Sequence, residues 1–93
     1  MQPIVLIIID AMLGKDSLFT YQQIADEVKL TERTVRNHVP EIRLILNKFG
    51  LELRTTRGKG CEVLGAPVDR TILAGDIGRA RSQNQFYKAK ERV

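Results

Sequence analysis

The sequence is poor in cysteine, histidine and aromatic residues, and each shortage excludes a class of function. One cysteine cannot form an internal disulfide framework, and one histidine leaves no Cys/His cluster with the spacing of a zinc site. There is no tryptophan, and two Tyr and three Phe residues are too few for an aromatic platform that stacks single-stranded nucleic acid. We therefore expect no metal ion and no cofactor.

Long hydrophobic runs are also missing. The apolar run Ile4–Ile9 lacks a basic segment before it, meets Asp10, and is far shorter than the roughly 20 residues that span a bilayer. We expect no signal peptide, no membrane partner and a reduced cytoplasmic setting. The run predicts a buried helix over 2–13, with Pro3 in its first turn and Gly14 as its stop, although its β-branched residues leave a strand open.

Catalytic groups are not recognisable either. A chain of 93 residues leaves little room for a large cleft, and no nucleophile–base pair or pair of carboxylates can be argued from spacing. The length predicts one compact domain. We therefore expect a protein that binds a partner and is not an enzyme.

What the sequence does have is an uneven excess of positive charge. The formal net charge is +4, and residues 1–30 carry 2 basic and 4 acidic side chains, whereas residues 31–65 carry 7 and 4 and residues 66–93 carry 6 and 3. A basic bias confined to the middle and the tail is typical of a nucleic-acid contact surface. A solvated lysine-rich surface would leave the same imbalance.

Two helices joined by a short turn are predicted in the middle of the chain. Thr20 and Gln23 fit a capping box, and a helix from there to about Lys29 would carry one apolar stripe: Tyr21, Ile24, Ala25 and Val28. Thr31 is the next N-cap candidate. A turn of about three residues makes the two helices cross steeply, which indicates a helix-turn-helix.

The third helix is predicted from Glu32 to about Phe49, closed by Gly50. Its apolar positions keep one phase throughout: Val35, Val39, Ile42, Leu46 and Phe49. Pro40 lies inside this pattern, and a proline within a helix removes a hydrogen bond and crowds the preceding turn. We therefore expect a kink, or a break with Pro40 opening a new helix, and the unbroken phase favours the kink.

The outward face of this helix carries Arg33, Asn37 and Pro40, with Thr34 and Arg36 beside it. Arginine can bind guanine O6 and N7 in bidentate fashion, and asparagine can do the same with adenine N6 and N7. A polar outward face is also what any exposed helix presents. The short turn before the helix favours the DNA-reading interpretation.

A hairpin follows Gly50. Residues 51–55 and 61–63 alternate apolar and polar, as half-buried strands do. The tip between them, residues 56–60, has two glycines for the turn and two cations, Arg57 and Lys59, that could neutralise phosphate or enter a minor groove. A charged, soluble turn that avoids edge aggregation is the alternative.

Three further features carry less weight. His38 lies at the edge of the apolar stripe and is expected to be a boundary residue, and Cys61 is expected to be a small core residue on a strand. A fourth helix is suggested over 68–77, weakened by Gly75 and Gly78. The basic end of the tail could begin a linker or belong to a dimerisation helix.

The stretch from about Leu18 to Gly65 resembles the winged helix-turn-helix of bacterial transcription regulators. The parts that carry the likeness are IADEV, TERTVRN and RGKG followed by a short strand. The similarity is greatest to the N-terminal DNA-binding domains of phosphotransferase-system sugar-operon regulators, often labelled antiterminator-like. Mga-like virulence regulators and the biotin repressor are more distant in pattern.

The resemblance implies a helix in the major groove, opening at TERTVRN, and a wing on the DNA backbone. The candidate DNA-contact residues are therefore Thr31, Arg33, Thr34, Arg36, Asn37, Arg57 and Lys59. The chain departs from the family pattern at three positions. Lys29 replaces the usual glycine of the inter-helix turn, Pro40 replaces a helix former, and Cys61 stands where an aromatic is common.

The sequence thus predicts a mainly α fold with a β-hairpin, namely a winged helix-turn-helix over 1–65 followed by a helical or linker tail over 66–93. The predicted function is sequence-specific binding of double-stranded DNA by a bacterial-type transcription regulator. In it, the recognition helix 32–39 occupies the major groove and the wing 56–60 touches the backbone or the minor groove. A homodimer is possible.

Two other functions stay open. A winged helix can serve protein–protein assembly or dimerisation, which predicts no salt-dependent binding to duplex DNA. It can also be the regulatory DNA-binding domain of a bifunctional enzyme similar to the biotin repressor, which predicts a ligase domain further along the gene.

Overall fold

The computed structural model describes residues 3–91, and the side chains of residues 3–80. The predicted helix start at Gln2 lies outside the described residues, as do the side chains of the basic segment 86–93. The fold is mainly helical, with one antiparallel hairpin of two strands among the described residues. The elements in chain order are α1 Pro3–Leu13, α2 Tyr21–Val28, α3 Glu32–Lys48, β1 Glu52–Thr56, β2 Gly60–Leu64 and α4 Pro67–Glu91.

The apolar run near the start of the chain is a helix, so the helical prediction is confirmed over the strand alternative. Helix α1 has five buried side chains that lie in one core with residues from every other element: Val5, Leu6, Ile8, Ile9 and Met12. Between residues 3 and 91, no helix combines the length and the apolar character needed to cross a membrane.

Helix α2 begins at the predicted capping box. The Thr20 hydroxyl accepts a hydrogen bond from the Gln23 backbone N–H at 3.1 Å, and the Gln23 side chain accepts one from the Thr20 N–H at 2.9 Å. Ile24 and Ala25 are buried, and Tyr21 and Val28 pack against the core from partly exposed positions. The cap and the stripe together fix the start and the buried side of this short helix.

The turn between α2 and α3 is closed by Lys29 in a left-handed conformation. Its φ is 61° and its ψ is 43°, and its N–H and that of Leu30 both bond to the Ala25 carbonyl. Lys29 is the single non-glycine residue with positive φ in the part of the chain that the structure describes. A lysine in this left-handed conformation carries strain that the glycine implied by the resemblance would not.

Replacing Lys29 with glycine is expected to raise the free energy of unfolding by about 1 kcal/mol, because glycine adopts positive φ without the Cβ contact that strains lysine. Lys29→Ala keeps the Cβ atom and is the matched control, expected to change stability by less than about 0.5 kcal/mol. Urea unfolding of both variants measures the difference, and equal stabilities would mean that this turn stores no strain.

Helix α3 runs without interruption from Glu32 to Lys48, so Pro40 does not end it. Pro40 lies on the exposed side, where the carbonyl that loses its hydrogen bond can reach water instead. The buried side carries Val35, Ile42, Ile45 and Leu46. The helix continues through Pro40 because its buried side is packed along its whole length and the proline faces solvent.

The hairpin is held to the rest of the fold by a contact that the sequence pattern does not reveal. Strands β1 and β2 pair from Glu52 opposite Leu64 to Thr56 opposite Gly60. In addition, Phe19, just before α2, forms an isolated bridge with Cys61, through N–H to carbonyl bonds of 2.9 Å and 2.6 Å. The base of the hairpin tip is thereby fixed beside the start of α2.

Gly60 makes this bridge possible. Its φ is 117°, and a Cβ atom added there would lie 2.5 Å from the Phe19 carbonyl oxygen. Gly58, at the tip itself, has a φ of 77° but open space where a Cβ would lie. The two tip glycines therefore have different roles: Gly58 permits the turn, and Gly60 permits the close approach of the Phe19 backbone.

Helix α4 is longer than the fourth helix suggested over 68–77, and its first three turns belong to the same core as α1–α3. Leu73 and Ile77 are fully buried. Arg70 donates hydrogen bonds to the carbonyls of Val63 at 2.9 Å and Leu13 at 2.7 Å. The guanidinium thus ties the end of α1 to β2 and α4, so residues on both sides of position 65 share one packed unit.

Candidate nucleic-acid interface

The first turn of α3 is fixed by two of the candidate residues. The Thr31 hydroxyl accepts a hydrogen bond from the Thr34 N–H at 3.1 Å, and the two hydroxyl oxygens are 2.8 Å apart. Thr31 is therefore the N-cap of the helix, with φ −90° and ψ 156°. Both hydroxyls take part in the cap, so these threonines position the start of α3.

Arg33 and Asn37 lie on the outward face of α3, one turn apart. Both side chains are exposed, and neither has a hydrogen bond or an ion pair with another described residue. The opposite face holds Val35 against the core. The helix thus presents a long cation and an amide to solvent with their donors and acceptors free, which is the chemistry that base edges in a major groove require.

Arg36 lies on a different flank of α3 and is held in place. Its guanidinium is 2.6 Å from a Glu32 carboxylate oxygen, and its Nε donates to the same oxygen at 2.7 Å. The guanidinium carbon also lies 5.2 Å from the centre of the Tyr21 ring. A planar cation between a carboxylate and an aromatic face is ordered before any partner arrives.

The hairpin tip carries the two predicted cations in the open. Arg57 and Lys59 are exposed, and no hydrogen bond or ion pair joins their side chains to the other described residues. The Lys59 N–H donates to the Thr56 carbonyl at 3.0 Å, which closes the turn. The backbone is therefore ordered while both charges face solvent.

A groove of about 480 Å³ separates the hairpin tip from the starts of α2 and α3. It brings Arg36, Arg57 and Lys59 to one surface, and Tyr21 and Cys61 lie along its floor. The lining residues do not include Thr31, Arg33, Thr34 or Asn37. The seven candidates therefore occupy two adjoining places, namely the groove and the outward face of α3.

Arg43 is the residue of this region that the sequence analysis missed. It donates to the Leu53 carbonyl at 2.6 Å and to the Thr55 hydroxyl at 3.1 Å, which clamps β1 against α3. Arg43 is seven residues after Arg36, so it lies on the same flank of the helix. The seven-residue spacing could have placed Arg43 beside Arg36 on the helix. The alternating pattern of the hairpin does not show, however, that Arg43 bonds to β1.

The floor of the groove is a small polar cluster. The Thr55 hydroxyl oxygen lies 3.9 Å from the Cys61 sulfur, and Cys61 is 3% exposed. Burial raises the pKa of the Tyr21 phenol, the Thr55 hydroxyl opposes that rise, and the Cys61 thiol adds to it. Tyr21 therefore stays uncharged at neutral pH, and the positive charge of the groove comes from its arginine and lysine side chains.

Several other side chains complete the charge distribution. Lys29 beside the α2–α3 turn and Arg54 on the outer face of β1 are exposed cations, and the sequence analysis did not single out either as a contact. His38 is half-buried, with Nδ1 3.9 Å from a Glu41 carboxylate oxygen, as expected for a boundary residue. In the described part of the chain, no three His, Cys, Asp or Glu residues form a group that could hold a metal ion.

Comparison with family models, with curated proteins and with solved structures gave no match to this chain. The surface itself is the guide to function: an outward helix face with a free arginine and asparagine lies beside a groove lined by three cations.

Proposed function

We propose that this protein is a winged helix-turn-helix domain that binds double-stranded DNA in a sequence-specific manner, as a bacterial-type transcription regulator. Helix α3 would enter the major groove with Arg33 and Asn37 towards the base edges. The hairpin would act as the wing, with Arg57 and Lys59 against the backbone or in the minor groove.

The observation that carries the proposal is the division of free polar groups between two adjoining surfaces. Arg33 and Asn37 are exposed and unengaged on a rigid helix, and a helix is narrow enough to enter a major groove of about 12 Å. Arg57 and Lys59 face solvent on an ordered tip one groove away. Contacts to bases give specificity and contacts to phosphates fix position, and this surface offers both.

Arg36 has a supporting role in this arrangement. The Glu32 carboxylate and the Tyr21 ring hold its guanidinium at the wall of the groove. A phosphate that enters the groove would meet Arg36 on one side and the tip cations on the other. We therefore assign Arg36 to backbone contact, whereas the outward face of α3 reads sequence.

Selection of duplex DNA from a random pool, repeated at two salt concentrations, tests the proposal. We expect a defined sequence to be enriched at low salt, with affinity that falls as salt rises because bound phosphates release counterions. If no sequence is enriched at low salt, the DNA-binding function is wrong, and the fold serves protein–protein assembly instead.

Lys59→Ala is expected to weaken binding to all duplexes by a similar factor. Loss of one phosphate contact lowers the slope of log affinity against log salt by about 0.9, which corresponds to roughly an eightfold loss of affinity at 0.1 M salt. Arg79→Ala, which removes an exposed cation of α4 outside the groove and the outward face of α3, is the control and should leave the slope unchanged. An unaltered slope in Lys59→Ala would remove the hairpin from the interface.

A further inference from the structure

The outward face of α3 does not end at Asn37. Residues 33, 37, 40 and 44 are spaced by four, three and four, so they lie on one side of the helix within about 60° of each other. All four are exposed. The face is therefore polar in its first half, at Arg33 and Asn37, and apolar in its second half, at Pro40 and Leu44.

Leu44 stands out among the apolar side chains of this helix. It is 64% exposed, whereas Ile42, Ile45 and Leu46 around it are buried at 8% exposure or less. A single exposed leucine is common on protein surfaces. Here, however, it follows an exposed proline one turn earlier on the face that carries the free arginine and asparagine.

The distances fit a continuous contact with DNA. Arg33 and Leu44 are eleven positions apart, or about 16 Å along the helix axis at 1.5 Å per residue. Base pairs are stacked about 3.4 Å apart, so the face spans four to five of them.

We propose that Pro40 and Leu44 form an apolar extension of the base-contacting face that packs against the 5-methyl groups of thymine. The inference rests on the DNA-binding function proposed above. The thymine methyl group is the apolar feature that a base pair presents in the major groove, and it accounts for apolar side chains among base-contacting residues. The bound sequence would then hold thymines beyond the base pairs read by Arg33 and Asn37.

Charge favours DNA over a second copy of this chain as the occupant. The exposed cations Arg33 and Lys48 lie at the two ends of the face. In a two-fold contact the second copy would present the same two cations to this face, whereas phosphates on both walls of a major groove would neutralise them. Of the two acidic residues of α3, Glu41 is nearer to the face by helical position, and its carboxylate lies 3.9 Å from His38 Nδ1.

The test uses the duplex most enriched in the selection and a set of versions in which one thymine at a time is replaced by deoxyuridine. Deoxyuridine keeps the base pair and lacks only the methyl group. We expect one or two positions to lose affinity about fourfold each, the value of one buried methyl-sized group. The same replacements should have less than a twofold effect on Leu44→Ala or Pro40→Ala, whichever side chain contacts that methyl.

Ile72→Ala is the matched control, because Ile72 is 50% exposed on α4 and should keep the uridine penalty in full. All three variants should unfold within about 4 °C of the wild type, since each side chain is largely exposed. A wild-type protein indifferent to every uridine, or a penalty that persists in both Leu44→Ala and Pro40→Ala, would overturn the inference.

Sedimentation velocity without DNA tests the alternative that this face binds a second copy of the chain. A dimer that dissociates in Leu44→Ala and persists in Ile72→Ala would assign this face to a second copy and overturn the thymine contact. Enrichment of a sequence together with a flat uridine scan would refute this inference and leave DNA binding intact. Failure to enrich any sequence would refute the DNA-binding function itself, before uridine is introduced.

Discussion

Asn37→Ala is expected to abolish discrimination at one or two base pairs of the bound sequence while affinity for unrelated duplexes stays unchanged. Asn37 is exposed on a rigid helix, and its amide has no partner among the described side chains. A bidentate amide contact with adenine contributes about 1–3 kcal/mol of discrimination, which is roughly 5- to 150-fold in relative affinity. Alanine cannot make that contact, so all bases at this position become nearly equivalent.

The measurement is a competition assay in which every base pair of the selected duplex is varied in turn. Thr71→Ala is the control, because Thr71 is an exposed polar residue on α4, away from the outward face of α3. Both substitutions should alter stability by less than about 0.5 kcal/mol. A change in specificity that is equal in the two variants, or absent from Asn37→Ala, would contradict the assignment of Asn37 to base reading.

Gly60→Ala is expected to lower the free energy of unfolding by about 2–4 kcal/mol. A Cβ atom would lie 2.5 Å from the Phe19 carbonyl oxygen, and the backbone φ of 117° is one that alanine rarely adopts. Strain of this kind contributes about 1–3 kcal/mol, and loss of the two backbone bonds to Phe19 adds about 1 kcal/mol each at most. Affinity for DNA should fall as well, because the tip would no longer be fixed beside α2.

Gly58→Ala gives the comparison. Gly58 also has positive φ, but nothing lies within 4 Å of the added Cβ atom, so the expected loss is about 1 kcal/mol from backbone strain alone. Thermal or urea unfolding of both variants measures the difference. Equal losses would show that the approach of Phe19 to the hairpin has no energetic weight.

Local signals in the sequence predicted several elements correctly. The hydroxyl and glutamine of the Thr20 capping box lie three residues apart. The left-handed Lys29 occupies the turn position where the resemblance, and not a local pattern, places a glycine. The phase of the apolar residues in α3 carried the prediction of one helix through Pro40, and the structure keeps that helix whole. The capping box and the helix phase are each decided within a few residues of chain, which is why a sequence pattern can show them.

Features that depend on distant partners were not predictable in the same way. The Phe19–Cys61 bridge involves one residue of a segment that has no alternating pattern. Arg43 appears in the sequence as one more basic residue of an exposed helix flank, although it clamps β1. The ion pair of Arg36 with Glu32 follows from a four-residue spacing within one helix. The stacking of Arg36 on Tyr21 depends on how α2 and α3 cross, which the sequence does not show.

The Phe19 bridge also bears on the heat capacity of DNA binding. A two-stranded hairpin alone is marginally stable in water, but this one has Phe19 along β2 and Arg43 against β1. If the protein binds DNA as proposed, the hairpin tip is already folded when it meets the duplex. The entropy cost of ordering the tip then belongs to folding and not to association. The heat capacity change on binding should then reflect contact area alone, without the larger negative value of coupled folding.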